Sequence, residues 1–284
     1  MIEIHPGLPR TPAVVLDEQQ RREFVSFLRE VVLAAGPITL SHFRASIHVA
    51  NKQAAQGTYD PVTQADQDAE SCMRDLISER YPEHGVFGEE HGFKAGSCGL
   101  TWVIDPIDGT RAFITGQLHW GVLVALYDGQ KPLLGAMFQP FTGELFIADG
   151  TSSALERDGQ RSALKVRPCA RLDEAILCCT TPEMFTTMEL QAFEQLVERV
   201  RLRRFGGDCY SYCMLAHGLA DLVVEADLKP YDIQALIPIC ESAGGVVTDW
   251  SGGSAAHGGR VIAAGDRRVH AAALAVLSRV EAGA

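Results

Sequence analysis

Trp102-Val103-Ile104-Asp105-Pro106-Ile107-Asp108-Gly109-Thr110 runs an apolar strand directly into two aspartates three residues apart. Pro106 fixes one φ angle and shapes a turn at the strand end that aims both carboxylates at one point. Gly109 allows close backbone approach, and the amides of Thr110 and Arg111 open a helix whose free N–H groups suit a phosphate. Each residue of this stretch also favours an ordinary surface turn. Its meaning therefore depends on its surroundings.

Upstream, residues 17–35 read as an amphipathic helix, with Phe24, Phe27, Leu28, Val31 and Ala35 at helical spacing and Gly36-Pro37 interrupting or bending it. Polar residues 48–62 read as a loop. Residues 63–80 form a second helix with Thr63 as N-cap, Asp66 in the first turn and Ala69, Met73, Leu76 and Ile77 on the apolar face. Around the opening stretch the pattern becomes short apolar runs at 85–87, 121–127, 133–138 and 144–148. Asp128-Gly129 and Asp158-Gly159 are hairpin signals. Two helices followed by a strand meander make an α+β arrangement. Beyond Pro168, strands at 175–179, 202–205, 221–225, 246–247 and 261–264 alternate with helices at 184–200, 210–217, 233–243 and 269–280. That order predicts an α/β half with an open sheet. With no repeat, low-complexity segment or long linker, the two halves, 14–166 and 167–284, should be packed together.

The 284 residues carry 25 Lys+Arg against 36 Asp+Glu, a formal charge of −11, with 46% hydrophobic residues. This is the balance of a folded chain with ample core. It argues against nucleic acid or an anionic membrane as partner, because both call for a basic face. A phosphorylated substrate would need a local reversal of sign, which carboxylates holding divalent cations supply. Met1 to Arg10 lacks the pattern of a signal peptide, and the longest apolar run, 120–127, is too short to span a bilayer. The eight cysteines show neither Cys-x-x-Cys nor zinc spacing, so reduced thiols and a cytoplasmic location are expected.

Three more carboxylate sites sit at the ends of elements: Glu89 in Gly88-Glu89-Glu90, Asp66 at a helix start, and Asp232 before the apolar helix 233–243. Singly, each reads more often as a cap or a solvated charge. Together they form the oxygen-rich set that selects hard cations such as Mg²⁺.

Gly88-Glu89-Glu90, Asp105 to Thr110, and the Asp232 helix ending in Glu241-Ser242-Ala243-Gly244-Gly245 resemble the three signature segments of the inositol monophosphatase superfamily, from about Phe24 to Val280. The resemblance implies a Mg²⁺-dependent, lithium-sensitive phosphatase with a layered αβαβα fold. Residues 14–166 would be its metal-binding subdomain, and 167–284 would complete the active site. It further implies that Glu89, Asp105, Asp108, Asp232 and the Ile107 carbonyl hold two or three Mg²⁺ ions. Asp66 and Thr110, with Glu89, would serve catalysis by orienting or deprotonating water, and the Gly109 and Thr110 amides would hold the phosphate. Lys52 would match a mobile-loop lysine, and the chain would form a homodimer acting on a small phosphate ester.

Inositol-specific members carry Thr-Asn where this chain has Arg111-Ala112, and Trp where it has Tyr231. The runs 205–212 and 225–232 are similar to the histidinol-phosphatase branch. Arg111, Asp208, Glu225 and Asp227 are then candidate substrate-binding residues. The acids among them favour a substrate with an ammonium and an imidazole over a neutral polyol. Asp208 has a competing reading as N-cap of the helix 210–217. Inositol phosphate or a broad range of phosphomonoesters is the alternative substrate reading. A catalytically silent regulator with the same fold is disfavoured by the completeness of the ligand set.

Overall fold

The computed structural model describes Leu8 and residues 13–45, 49–51 and 61–278. Two helices, α1 (Glu18–His42) and α2 (Gln64–Arg80), flank the short antiparallel pair β1 (Val49–Asn51) and β2 (Pro61–Thr63). Next come β3 (Gly85–Gly88), β4 (Gly92–Lys94), β5 (Thr101–Asp108), α3 (Thr110–Ile114), β6 (Gly121–Tyr127), β7 (Pro132–Gln139), β8 (Glu144–Ala148), β9 (Ser153–Arg157) and β10 (Gln160–Ala163). The rest is β11 (Ile176–Cys179), α4 (Thr187–Val197), β12 (Leu202–Phe205), α5 (Asp208–Ala216), β13 (Leu222–Leu228), α6 (Pro230–Ile233), α7 (Leu236–Ser242), β14 (Val246–Asp249), β15 (Gly259–Ala264) and α8 (Arg267–Leu277).

Among the described residues the strands form an eight-stranded sheet, β10-β9-β8-β7-β6-β5-β3-β4, and a five-stranded sheet, β12-β11-β13-β15-β14. The central strands read as unbroken apolar runs because both faces are covered. Alternate residues divide between two cores: Trp102 and Ile104 of β5, with Val122, Val124 and Leu126 of β6, meet Phe27, Leu28, Val31 and Met73 of α1 and α2. Val103, Leu123 and Ala125 point the other way, to Tyr212 and Cys213 of α5 and Leu236 and Ile239 of α7. The second sheet repeats this pattern. Val223, Val261 and Ala263 face α5 and α7, whereas Leu222, Val224, Ile262 and Ala264 face Phe193 and Leu196 of α4 and Val269 and Ala273 of α8. The layers are therefore helix, sheet, helix, sheet, helix. The middle core takes side chains from both halves of the chain.

Several local expectations shift. The first helix continues through Gly36-Pro37 to His42. Pro37 lies on its exposed side, where water can serve the carbonyl that Pro37 leaves unbonded, and Thr39 Oγ1 donates to Gly36 O at 2.8 Å. By length and composition α1 would suffice to cross a membrane, but Phe24, Phe27, Leu28, Val31, Val32 and Ala35 are buried in the protein core. The stretch 48–62 is not wholly loop, since β1 and β2 pair at its ends. The helix expected at 233–243 is two pieces, α6 and α7, separated at Gln234-Ala235. Asp158-Gly159 makes the expected two-residue hairpin between β9 and β10, with φ of 52° and 73°.

Candidate metal centre and active site

In a regular strand, residues three apart point to opposite faces. Asp105 and Asp108 escape this rule through a bulge: Asp105 pairs with Leu123 and Asp108 with Gly121, so three steps on β5 match two on β6. Pro106, which has no N–H to pair, occupies the bulge. Ile107 N donates to Asp105 Oδ1 at 3.0 Å, fixing the buried carboxylate. Asp108 Oδ2 accepts from Cys209 N at 2.8 Å, tying the end of β5 to α5. Asp232, in the first turn of α6, accepts from Lys229 N at 2.6 Å. Oxygen atoms of Asp105, Asp108 and Asp232 lie within 4.8 Å of one another.

Glu89 follows β3, which runs parallel to β5 with Gly88 opposite Ile104, so Glu89 comes beside Asp105. Asp66 comes from the start of α2. Its Oδ2 accepts from Thr63 N at 2.8 Å and Thr63 Oγ1 at 2.6 Å. Burial, followed by the charges of Glu89, Asp108, Asp232 and Asp66, pushes Asp105 well above the usual carboxylate range. Burial raises Asp108 to about 7 against the opposing Cys209 bonds. Burial, Asp108 and Glu89 raise Asp232 well above its ordinary value. Divalent cations would relieve this repulsion, and all-oxygen donors fit a hard cation. The cluster therefore fits a metal.

Gly109 follows directly, with φ of 85°, and a Cβ there would sit 2.5 Å from His119 O. Only glycine meets both conditions. It caps α3, which opens at Thr110. The Thr110 hydroxyl donates to Ile107 O at 3.1 Å. Ile107 buries its side chain with Phe113 and Trp120.

Beside the acids lies a cavity of about 140 Å³ lined by Asp108, Asp232, Thr180, Asp208, Tyr212 and Glu225, among others. Two larger grooves, about 450 and 650 Å³, run past Arg29 on α1, away from these acids. The three candidate substrate acids part company here. Asp208 is the first residue of α5, not its cap; Gly207 holds that place without a side-chain bond. Asp208 has φ of 42°, and among the described residues no group hydrogen-bonds to its carboxylate. Burial, Asp108 and Glu225 push it up to about 8 against the opposing charge of Arg111. Glu225 is also in the cavity wall, but its carboxylate already accepts from Thr180 N at 3.0 Å, Thr180 Oγ1 at 2.5 Å and Tyr212 OH at 2.8 Å. Burial still raises it. Asp227 is exposed and ion-paired with Lys229 Nζ at 2.6 Å, so the structure does not bring it to the cavity. Arg111 is exposed on α3, with Glu183 at 3.9 Å. Lys52 lies outside the described residues.

The profile of the inositol monophosphatase family matches residues 20–282. The chain belongs to the inositol monophosphatase family. The family is metal-dependent, and the phosphatase activity that defines it matches the acidic cluster found here. This family member is 35% identical to the bifunctional phosphatase IMPL2 of Arabidopsis thaliana, over 95% of this chain and 79% of that one. It is 36% identical to a histidinol-phosphatase of Chlorobaculum parvum, over 78% and 84%. Its fold matches that of an inositol monophosphatase from Zymomonas mobilis with a TM-score of 0.80 and 35% identity, covering 90% of this chain and 98% of that one.

Sequence reasoning passed over three groups of this phosphatase site. Thr180 and Tyr212 hold Glu225 from elements distant in the chain, which no local pattern signals. Glu70 was legible in principle, since it lies four residues after Asp66 beside the apolar Ala69 and Met73, where a solvated charge does not belong.

Proposed function

We propose that the chain hydrolyses L-histidinol phosphate to L-histidinol and phosphate. The observation that carries this reading is the Asp208 carboxylate, which faces the cavity beside the metal cluster with no hydrogen bond from the described residues. An ammonium on the substrate would give it a charge-assisted partner, whereas a neutral polyol would leave the strain of burial in place. Two of the relatives bearing the name histidinol-phosphatase align over more than seven tenths of this chain, which supports the same reading.

Glu89, Asp105, Asp108, Asp232 and the Ile107 carbonyl would hold the cations, with Mg²⁺ the best match to carboxylate and phosphate oxygens. Such ions, when bound, neutralise phosphate oxygens and lower the pKa of water. Asp66, held by Thr63, takes the proton from the attacking water, and Thr110 helps orient it. The Gly109 and Thr110 amides seat the phosphate, and Asp208, packed against Gly109, holds the ammonium end of the leaving alcohol. Glu225, braced by Thr180 and Tyr212, keeps the cavity wall acidic.

Phosphate release from histidinol phosphate and inositol 1-phosphate, with Mg²⁺ present, tests the reading. A charged hydrogen bond contributes roughly 1.5–3 kcal/mol net, so histidinol phosphate should be favoured in kcat/KM by about ten- to a hundredfold. Asp208→Asn should remove most of that preference and alter a small artificial ester much less. Equal hydrolysis of both substrates by the unaltered protein would defeat the assignment.

A further inference from the structure

Glu70 is a charged residue with no exposed surface, placed one helical turn after Asp66. Its Oε2 accepts from Glu90 N at 2.7 Å, and its Oε1 accepts from His91 N at 3.0 Å and Arg74 Nε at 2.7 Å. Arg74, another turn along, also donates to Gly92 O. Glu70 and Arg74 thus grip the three-residue turn between β3 and β4, whose first residue is Glu89. The turn fits against them closely: a Cβ on Gly88 would lie 2.3 Å from Glu70 Oε1. This is why that position carries no side chain.

We propose that Glu70, braced by Arg74, is a positioning residue for Glu89 and thereby for metal binding. The argument rests on the reading of Glu89 as a ligand, given above. Two turn amides converge on one carboxylate. Without it both would be partly buried donors lacking their acceptor, and the turn would rotate to find others. Such a rotation moves Glu89, because the Glu90 amide belongs to the peptide that leaves Glu89. Asp66 and Glu70 share one rigid helix, so the same element that supplies Asp66 also sets where Glu89 points. Partners that orient a ligand in this way affect metal affinity about 10–100-fold when removed.

The test is Mn²⁺ binding to the full-length protein by calorimetry, joined to amide hydrogen exchange of the metal-free protein. Glu70→Gln should weaken Mn²⁺ binding by about tenfold or more and speed exchange at Glu90 and His91. Raising the metal concentration should recover much of the lost turnover. Gly88→Ala, which displaces Glu70 without altering it, should act in the same direction. Asp221→Asn is the control. It breaks an equally buried carboxylate hub, with Arg167 and Ile176 N, away from the acids. It should lower stability and leave Mn²⁺ affinity unchanged. Glu89→Gln reports on the underlying ligand reading. If it weakens binding while Glu70→Gln and Gly88→Ala stay within twofold of the unaltered protein, the positioning role is wrong and the metal reading stands. If Glu89→Gln also leaves binding unaltered, the ligand assignment fails and takes this proposal with it.

Discussion

Asp221 and the group of Asp105, Asp108 and Asp232 are acids placed inside the same protein on opposite terms. Asp221 is 1% exposed and receives two bonds from Arg167, at 2.8 and 2.5 Å, and one from Ile176 N at 2.7 Å. Its charge is spent on joining β11, β13 and the segment before β11. The other three face one another across less than 5 Å, and each is raised by burial and by its neighbours. A fully partnered acid holds the fold in one arrangement. A mutually repelling set opposes folding, holds protons more tightly, and leaves its oxygens available for a cation. The two sites should therefore respond to neutralisation with opposite signs in stability and very unequal losses in activity.

The largest contrast is expected from Asp105→Asn. The amide keeps an oxygen for the Ile107 N–H, so the bulge survives, but the charge that the proposed function assigns to a cation and a source of repulsion are gone. Turnover should fall by more than about a hundredfold, the upper end for losing a mere outer partner of a metal. Metal-free thermal stability should hold or rise. Chelator should abolish the activity of the unaltered protein, and Mg²⁺ should restore it. Near-normal turnover in Asp105→Asn, or full turnover in excess chelator, would mean that the acids are turn residues and the contrast is false.

Asp221→Asn should show the reverse. Removing one partner of a buried pair leaves the other uncompensated, which costs about 3–5 kcal/mol when both are buried. Arg167 is 38% exposed and partly relieved by water, so roughly 2–3 kcal/mol is expected. Denaturant unfolding measures this loss. Turnover per folded molecule should remain within about twofold, since no ligand or cavity residue moves. A large fall in turnover of the folded fraction would show that the two acid sites are coupled.

The sequence makes one of these sites far more legible than the other. The clustered acids stand at strand and helix ends inside short motifs, where Pro106, Gly109 and the Thr63–Asp66 capping pair leave local signals. The unbroken apolar runs of β5 and β6 likewise announce a sheet covered on both faces. Asp221 looks like any acid before a strand, because its meaning comes from Arg167, 54 residues away. Glu225 illustrates the same limit: its motif suggests substrate contact, while Thr180, 45 residues earlier, already holds it. Asp227 sits two residues from Glu225 in sequence but in solvent. At Gly36-Pro37 the interruption does not occur, for a related reason. Whether a helix survives a proline depends on which side faces water, and that is settled by tertiary packing.

A third buried titratable group, His84, sharpens the contrast, because it solves the problem by giving up its charge. It is 8% exposed and stacks on Tyr81, with ring centroids 4.7 Å apart. Trp102 Nε1 donates to its Nδ1 at 3.0 Å. Nδ1 is thus an acceptor, and a proton placed there would oppose the indole N–H. Burial lowers its pKa to about 4 from the ordinary 6.5. Between these values the unfolded chain binds more protons than the folded one, so stability falls as pH drops from 6.5 toward 4. Across pH 6.5 to 5 the loss amounts to about 1.5 kcal/mol, because the slope reaches roughly 1.36 kcal/mol per unit only below the unfolded pKa. The raised acids of the cluster act with the opposite sign over the same range, so the raw stability curve mixes both. The difference between the unaltered protein and His84→Gln separates them, because glutamine offers the indole an acceptor oxygen and does not titrate. Their melting temperatures should converge as pH falls from 6.5 to 5. Turnover per folded molecule should have the same pH profile in both, since His84 packs with Phe24, Tyr81 and Trp102 on the α1 side of the sheet and not with the acids. Parallel melting curves would show that His84 is charged in the folded protein, and that burial without a partner is tolerated here by something other than loss of charge.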